Sequence, residues 1–162
     1  MGSMSIDRRR FHQVIALFGA LSAYATIVLG GAVRGLGAGL SCPDWPLCNG
    51  SVIPNLEDPL VAVEYAHRLV AALTSVFLLL TFALAVLWFR PNRQLVTLSF
   101  VSAAILTTQV AFGALTITER LDWGIVTIHL ALGTATFASS LVVALATMGP
   151  FRPRTSDTTS IE

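Results

Sequence analysis

Charged residues are scarce in this chain. Only 12% of its 162 residues are charged, whereas 54% are hydrophobic and the mean hydropathy is +0.74. A soluble domain of this size carries roughly 25% charged residues, so the deficit argues against a soluble domain and predicts a membrane protein. The net charge of +1 is far from the strongly basic balance of nucleic-acid-binding domains, so no nucleic-acid partner is expected.

Cysteine is rarer still, because Cys42 and Cys48 are the only two. Two thiols with no histidine near them in the sequence argue against a metal site at the cysteines. An even number of cysteines in an oxidising compartment predicts a disulfide. Closing so short a loop should stabilise the fold by on the order of 2 kcal/mol. The alternative is a redox-active pair that exchanges with an external partner.

Four long apolar segments carry the membrane character. A helix needs roughly 20 apolar residues to cross a bilayer, and the segments that qualify are 14–33, 61–89, 95–117 and 123–148. The short connections after the second and third segments favour an antiparallel four-helix bundle. The predicted fold class is therefore all-α, with one transmembrane domain over residues 1–162. Residues 1–3 are expected to be a cloning remnant, and no cleavable signal peptide is recognised.

Arginine placement predicts the orientation of the spans. An even number of spans puts both termini on one side of the membrane. That side then carries seven arginines against three on the other: Arg8, Arg9, Arg10, Arg90, Arg93, Arg152 and Arg154 against Arg34, Arg68 and Arg120. The positive-inside rule makes both termini cytoplasmic, in a plasma-membrane protein. Residues 35–60 then form a long extracellular loop with both cysteines, and residues 150–162 form a flexible cytoplasmic tail.

Two histidines fall within predicted spans at the same depth. His67 lies six residues after the start of 61–89, and His129 lies six residues after the start of 123–148. At 1.5 Å per residue, both imidazoles are about 9 Å below the extracellular boundary. Two imidazoles facing each other across a bundle suit the axial positions of a haem iron. Alternatively, each hydrogen-bonds a neighbouring helix. The third histidine, His12, is expected to be solvated at the cytoplasmic end.

Other polar residues lie near that depth. Glu64 precedes His67 by one helical turn and Arg68 by four residues. It could hold a carboxylate beside a cofactor, or pair with Arg68 as an interfacial helix cap. Gln109 could bind a ligand or hydrogen-bond a neighbouring helix. Arg34 and Arg68 are candidates to bind haem propionates, because a guanidinium matches a carboxylate in bidentate geometry.

Small residues recur in the spans, where they allow helices to approach closely. Gly30 and Gly31 stand near the end of the first span, and Gly113 stands near the end of the third. The segments "GGAVR" and "GALTI" at these places are loosely alike. Each precedes a loop and then a helix that carries a histidine, so the chain is predicted to contain a two-helix repeat.

Taken together, these segments resemble the haem A synthase family. The resemblance rests on "GGAVRGLGAGLSCPDWPLCNG" followed by "IP", and then on "EYAHR", "QVAFGALTI" and "TIHLALG". It implies an oxidoreductase that converts haem O to haem A for terminal cytochrome oxidases, by oxidising a ring methyl to a formyl through a hydroxymethyl intermediate. It also implies that His67 and His129 ligate the haem iron, that Glu64 takes part in activity, and that Cys42 and Cys48 form the family's disulfide.

The chain departs from the family pattern in length. Usual members have eight spans in two related halves, one for a haem b cofactor and one for the substrate, and this chain resembles the N-terminal half. A homo-oligomer, dimer or trimer, is expected to supply the second site, with a separate subunit as the alternative. The lipid bilayer surrounds the protein, and haem O synthase and cytochrome oxidase are further candidate partners.

Two non-catalytic hypotheses compete with the enzyme. One is a b-type haem-binding or electron-transfer membrane protein that uses the same two histidines. The other is a structural helper for oxidase assembly that binds no haem. The position of Glu64 and the cysteine loop favour the enzyme, because a simple electron carrier needs neither.

Overall fold

Four α-helices make up most of the chain in the computed structural model, which describes the backbone of residues 2–148 and the side chains of residues 6–148. They are α1 (Gly2–Gly35), α2 (Pro59–Trp88), α3 (Arg93–Thr118) and α4 (Trp123–Met148). Each is long and apolar enough to cross a bilayer. The predicted all-α bundle of four spans is confirmed. The predicted tail at 150–162 lies outside the described residues.

The helix ends follow capping signals as well as hydropathy. The α1 helix begins at Gly2, well before the predicted start at residue 14, because the intervening arginines are good helix formers even though lipid disfavours them. The α2 helix begins at Pro59, where the carboxylate of Asp58 accepts a hydrogen bond of 2.8 Å from the amide of Leu60. Proline at the first helical position and aspartate at the cap both favour a start here.

The helices pack as a ring in chain order, and α4 closes the ring against α1. The first part of α1 lies beside the last part of α2, where His12 meets the carbonyl of Thr81. The last part of α1 lies beside the first part of α2, where Gly30 faces His67. We call this second end of the bundle, from which the connection 36–58 projects, the loop end.

His12 is buried, so the expectation that it is solvated is wrong. Its side chain is only 1% exposed, and its Nε2 lies 3.1 Å from the carbonyl oxygen of Thr81. The imidazole also packs edge-on against Phe89, with 5.2 Å between ring centroids. Because α1 begins long before its apolar segment, residue 12 lies inside the bundle instead of at its edge.

The bundle buries small polar side chains and leaves large apolar ones on its surface. Ser99, Ser102 and Ser140 are at most 3% exposed, whereas Phe18 is 52% and Leu79 is 49% exposed. Lipid is as apolar as leucine, so burying large apolar side chains brings little gain in a membrane, whereas small residues allow close helix packing. This inverted pattern of burial is the one expected of a protein that packs within lipid.

The connection 36–58 is organised by a disulfide between Cys42 and Cys48. Both cysteines are buried, at 0% and 2% exposure, so the predicted disulfide is present and lies under the rest of the loop. The carboxylate of Asp44 accepts hydrogen bonds from the amides of Asn49, at 2.6 Å, and Gly50, at 2.9 Å. Asn49 and Gly50 both have positive φ angles, of 53° and 73°, so the carboxylate holds the tightest turn of the loop.

We expect acid to loosen this loop through Asp44. The hydrogen bonds from Gly50 and Asn49 lower the pKa of the Asp44 carboxyl. A carboxylate with a lowered pKa stabilises the fold fully above its ordinary pKa of roughly 4, and the contribution is lost as the pH falls through the lowered value. Hydrogen exchange of residues 36–58, corrected for intrinsic rates, should therefore speed up on acidification in detergent.

Substitution of the same carboxylate should mimic the acid effect. Asp44→Asn should exchange faster than wild type at neutral pH and respond less to acid. Glu57→Gln, which alters an exposed carboxylate of the same loop, is the matched control and should behave like wild type. Equal neutral-pH protection in Asp44→Asn and Glu57→Gln would contradict the assignment to Asp44.

Candidate functional site

A buried ion pair lies in the first turns of α2. Glu64 is 4% exposed, and its Oε1 accepts a hydrogen bond of 2.9 Å from Nε of Arg68. The disulfide packs against this part of α2, in a cluster of Cys42, Cys48 and Val61. A charge in such surroundings needs a partner, and the i, i+4 spacing expected from the sequence provides it.

Arg68 also binds the disulfide loop. Its Nη1 donates to the carbonyls of Asp44 and Leu47, and its Nη2 donates to the carbonyl of Cys42, each at 2.7 Å. One guanidinium thus joins three loop carbonyls to the Glu64 carboxylate, and we call this arrangement the Arg68 clasp. Of the two uses considered for Arg68, the structure contains the pair with Glu64, and a propionate would have to compete with these contacts.

His67 is held in a defined orientation by α1. Its Nδ1 lies 3.1 Å from the carbonyl oxygen of Thr26. A carbonyl only accepts hydrogen bonds, so Nδ1 carries the proton and Nε2 keeps its lone pair, which is the form that ligates a metal. Gly30 makes room for the ring, because a Cβ at residue 30 would lie 3.1 Å from Cε1 of His67.

His129 meets a glycine in the same way. A Cβ at Gly113 of α3 would lie 3.2 Å from Cε1 of His129. The side chains of Gln109 and His129 meet at their two Nε2 atoms, 3.5 Å apart. Within the described part of the chain, neither Nδ1 of His129 nor Oε1 of Gln109 has a hydrogen-bond partner. The two histidines thus have like positions but different hydrogen bonds.

The glycine–histidine contacts give the two-helix repeat a physical meaning. Gly30 of α1 faces His67 of α2, and Gly113 of α3 faces His129 of α4. The structure therefore gives the two histidines that the sequence singled out equivalent packing partners, and the glycines act on the imidazoles as well as on helix spacing.

The depth estimate from the sequence needs a small correction. Because α2 begins at Pro59, His67 lies eight residues after its helix start, whereas His129 lies six residues after Trp123. Counted from the helix starts, their depths differ by about 3 Å. Each imidazole packs against a glycine of the preceding helix, Gly30 for His67 and Gly113 for His129.

Arg34 lies at the mouth of this region. It is exposed in the last turn of α1, one turn beyond Gly30. Sequence reasoning missed the carbonyl of Thr26 and the three loop carbonyls of the Arg68 clasp. Every residue has a backbone carbonyl, so residue identity does not reveal which carbonyl accepts a hydrogen bond. Only the spacing of Thr26 and Gly30 before a histidine-bearing helix could have pointed to the Thr26 carbonyl.

The histidine pair fits axial ligation of a haem iron. No three His, Cys, Asp or Glu side chains gather as a metal site within residues 6–148. A porphyrin supplies four of the ligands itself, so two imidazoles from facing helices are sufficient. His67 has its Nε2 lone pair available, and both rings are accommodated where a Cβ would crowd them.

Comparison with known proteins identifies relatives over most of the chain. The model of the COX15-CtaA family, described as cytochrome oxidase assembly protein, matches residues 13–161. A protein named heme A synthase from Symbiobacterium thermophilum is 38% identical over 120 residues, which is 67% of this chain and 37% of that protein. Heme A synthase from Bacillus mycoides is 26% identical over 136 residues, 83% of this chain and 44% of that protein.

A third relative also matches only part of its own length to this chain. Heme A synthase from Shouchella clausii is 34% identical over 97 residues, covering 60% of this chain and 32% of that protein. The chain thus spans less than half the length of these curated relatives. Because the family model covers nearly the whole sequence, from within α1 to beyond the end of α4, this multi-pass membrane protein belongs to the COX15-CtaA family of cytochrome oxidase assembly proteins.

Proposed function

We propose that the protein is a haem A synthase. The reaction is oxidation of the haem O ring methyl to a formyl, through a hydroxymethyl intermediate, for terminal cytochrome oxidase assembly. The observation that carries the proposal is the paired contact of Gly30 with His67 and of Gly113 with His129, which presents two imidazoles in one bundle. Membership of the family, and relatives named heme A synthase, support the choice of reaction.

His67 and His129 are the residues that we propose would hold the haem iron. When bound, haem would supply the iron and the ring whose methyl is oxidised. The protein's part is to hold both imidazoles in place and to exclude water from the ring. Arg34, exposed one turn above Gly30, remains the candidate for a propionate, because its side chain lies at the loop end and Arg68 is engaged in its clasp.

Glu64 is the proposed catalytic carboxylate. Arg68 holds Oε1, and no hydrogen-bond donor among residues 6–148 reaches Oε2. With water as the source of oxygen, each two-electron oxidation at the methyl carbon passes two electrons to an external acceptor and releases two protons. We assign Oε2 of Glu64 as the acceptor of one of these protons. A buried carboxylate whose orientation is already fixed needs little reorganisation when charge develops beside it. Arg68 is the positioning residue in this assignment, because the clasp orients the carboxylate.

The family's reaction involves two haems, one as cofactor and one as substrate. We propose that one four-helix unit holds one of them and that a second copy of this chain supplies the other, as a symmetric oligomer. The proposed orientation has both termini in the cytoplasm and the disulfide loop outside the plasma membrane. Haem O synthase is the proposed source of substrate, and cytochrome oxidase is the proposed recipient of product.

Haem binding should depend on the glycine that faces each histidine. Gly30→Ala should weaken haem binding about fivefold, because the new methyl group forces the His67 imidazole to shift. Gly31→Ala is the matched control, since a Cβ there meets nothing within 4 Å. Haem content and the low-spin absorption spectrum of the purified proteins measure the effect. Equal haem content in the two variants would contradict the placement of haem at His67.

Removal of the Glu64 carboxylate should abolish chemistry while leaving haem bound. Glu64→Gln keeps the size of the side chain but cannot accept a proton, so haem A formation should fall by roughly 10²- to 10⁴-fold. Extraction of the haem after expression with a haem O supply, with identification by mass, is the measurement. Full haem A formation in the variant would exclude the role of Glu64. A wild-type protein that carries only haem b or unmodified haem O would favour the electron-transfer alternative.

Replacement of Arg68 by lysine should separate the effect of its positive charge on haem A formation from the effect of its hydrogen-bond geometry. Arg68→Lys keeps a positive charge, but one ammonium cannot bond the carboxylate and three loop carbonyls together. We expect haem A formation to fall about tenfold, with haem still bound and with faster hydrogen exchange over residues 36–58. Arg120→Lys, at an exposed position of the α3–α4 turn, is the control. Unchanged product formation in Arg68→Lys would show that its charge alone is sufficient.

A further inference from the structure

The two histidines differ in how the protein holds them. Nδ1 of His67 is bonded to the Thr26 carbonyl at 3.1 Å, whereas Nδ1 of His129 has no partner within residues 6–148. A hydrogen bond to the distal nitrogen of a ligand imidazole fixes the ring's orientation and raises its basicity. His67 has this support and His129 lacks it, so the two sides of the proposed haem site are unequal.

The ligating nitrogens differ as well. Nε2 of His67 carries a lone pair that no neighbouring side chain among the described residues occupies. Nε2 of His129 lies 3.5 Å from the side-chain amide of Gln109. An amide presents a donor on one arm and an acceptor on the other, so it suits this nitrogen in either orientation. His129 must therefore give up a contact within the protein before it can ligate iron, whereas His67 need not.

The difference between the two histidines originates at one position of the two-helix repeat, four residues before the glycine. Thr26 stands four residues before Gly30, and Gln109 stands four residues before Gly113. The hydroxyl of Thr26 turns back to the carbonyl of Ser22, at 2.8 Å, so that side chain stays clear of the imidazole. Glutamine is long enough to reach the ring that its glycine accommodates. Gly133 of α4 leaves room for this amide, since a Cβ at Gly133 would lie 3.1 Å from Nε2 of Gln109.

We infer that His129 is the exchangeable haem ligand, that His67 is the permanent one, and that Gln109 is a positioning residue that receives the His129 imidazole when the iron releases it. The inference rests on the proposed function, because it requires haem between the two histidines. It deepens that function by naming the histidine whose release would let an external ligand bind. Gln109 would lower the cost of that release by offering the His129 imidazole a hydrogen bond.

Carbon monoxide is a suitable probe of this asymmetry, because it binds ferrous haem only where an axial ligand has left. In the haem-loaded, reduced protein in detergent, Gln109→Leu should slow carbon monoxide binding roughly two- to tenfold, since the released imidazole loses its hydrogen-bond partner. Thr108→Val, on the exposed side of the same helix, is the matched control and should bind at the wild-type rate. Equal rates in Gln109→Leu and Thr108→Val would overturn the role of Gln109.

Removal of each histidine tests which ligand is permanent. His129→Ala should retain most of its haem in a five-coordinate form that binds carbon monoxide without delay, whereas His67→Ala should lose haem, with helical circular dichroism as the check on folding. Retention of haem by His67→Ala but not by His129→Ala would overturn the inference and leave the proposed function intact. A folded wild-type protein that binds no haem would overturn both, so the two failures are distinguishable.

Discussion

Polar groups within an apolar bundle must find partners inside the protein, because lipid offers none. The hydroxyls of the buried threonines return to carbonyls of their own helix, as Thr81 does to Phe77 at 2.8 Å. His12 reaches across to the carbonyl of Thr81, and Arg68 satisfies its charge with a carboxylate and three carbonyls. Most features of the site can be understood as solutions to this one constraint.

The Arg68 clasp is the costliest of these solutions and the one with the widest consequence. A buried carboxylate and a guanidinium lose much hydration, and the pair is stable only because the remaining donors of Arg68 are also used. Those donors meet carbonyls of the disulfide loop, so the loop and the Glu64 carboxylate share one anchor. The disulfide keeps the loop carbonyls in place. It thereby helps to orient the Glu64 carboxylate through Arg68, without itself being hydrogen-bonded to that carboxylate.

The glycine–histidine contacts show how a repeat can be alike in packing and unlike in chemistry. Gly30 and Gly113 accommodate their imidazoles at almost the same separation, 3.1 Å and 3.2 Å from an added Cβ. Nδ1 of His67 has a hydrogen-bond partner, whereas Nδ1 of His129 and Oε1 of Gln109 have none within residues 6–148. An unmet polar group in such surroundings stores free energy that a ligand or a rearrangement can release.

Much of the fold and the identity of the two histidines could be predicted from sequence. Hydropathy over some 20 residues is a local sum, so the four spans follow from composition alone. Histidine and cysteine are so rare here that His67, His129 and the Cys42–Cys48 pair attract attention without a structure. The spacing of Glu64 and Arg68 likewise determines that they share a helix face.

Tertiary structure alone decided how those residues are used. Hydropathy ignores how far a helix continues past its apolar segment, so it predicts a solvated His12, whereas packing buries this side chain. The partners of Arg68 and His67 are backbone carbonyls, which every residue possesses and which residue identity therefore cannot reveal. The unequal support of the two imidazoles depends on which side chains meet across helices. That is a property of distance in space, and no local pattern of residues determines it.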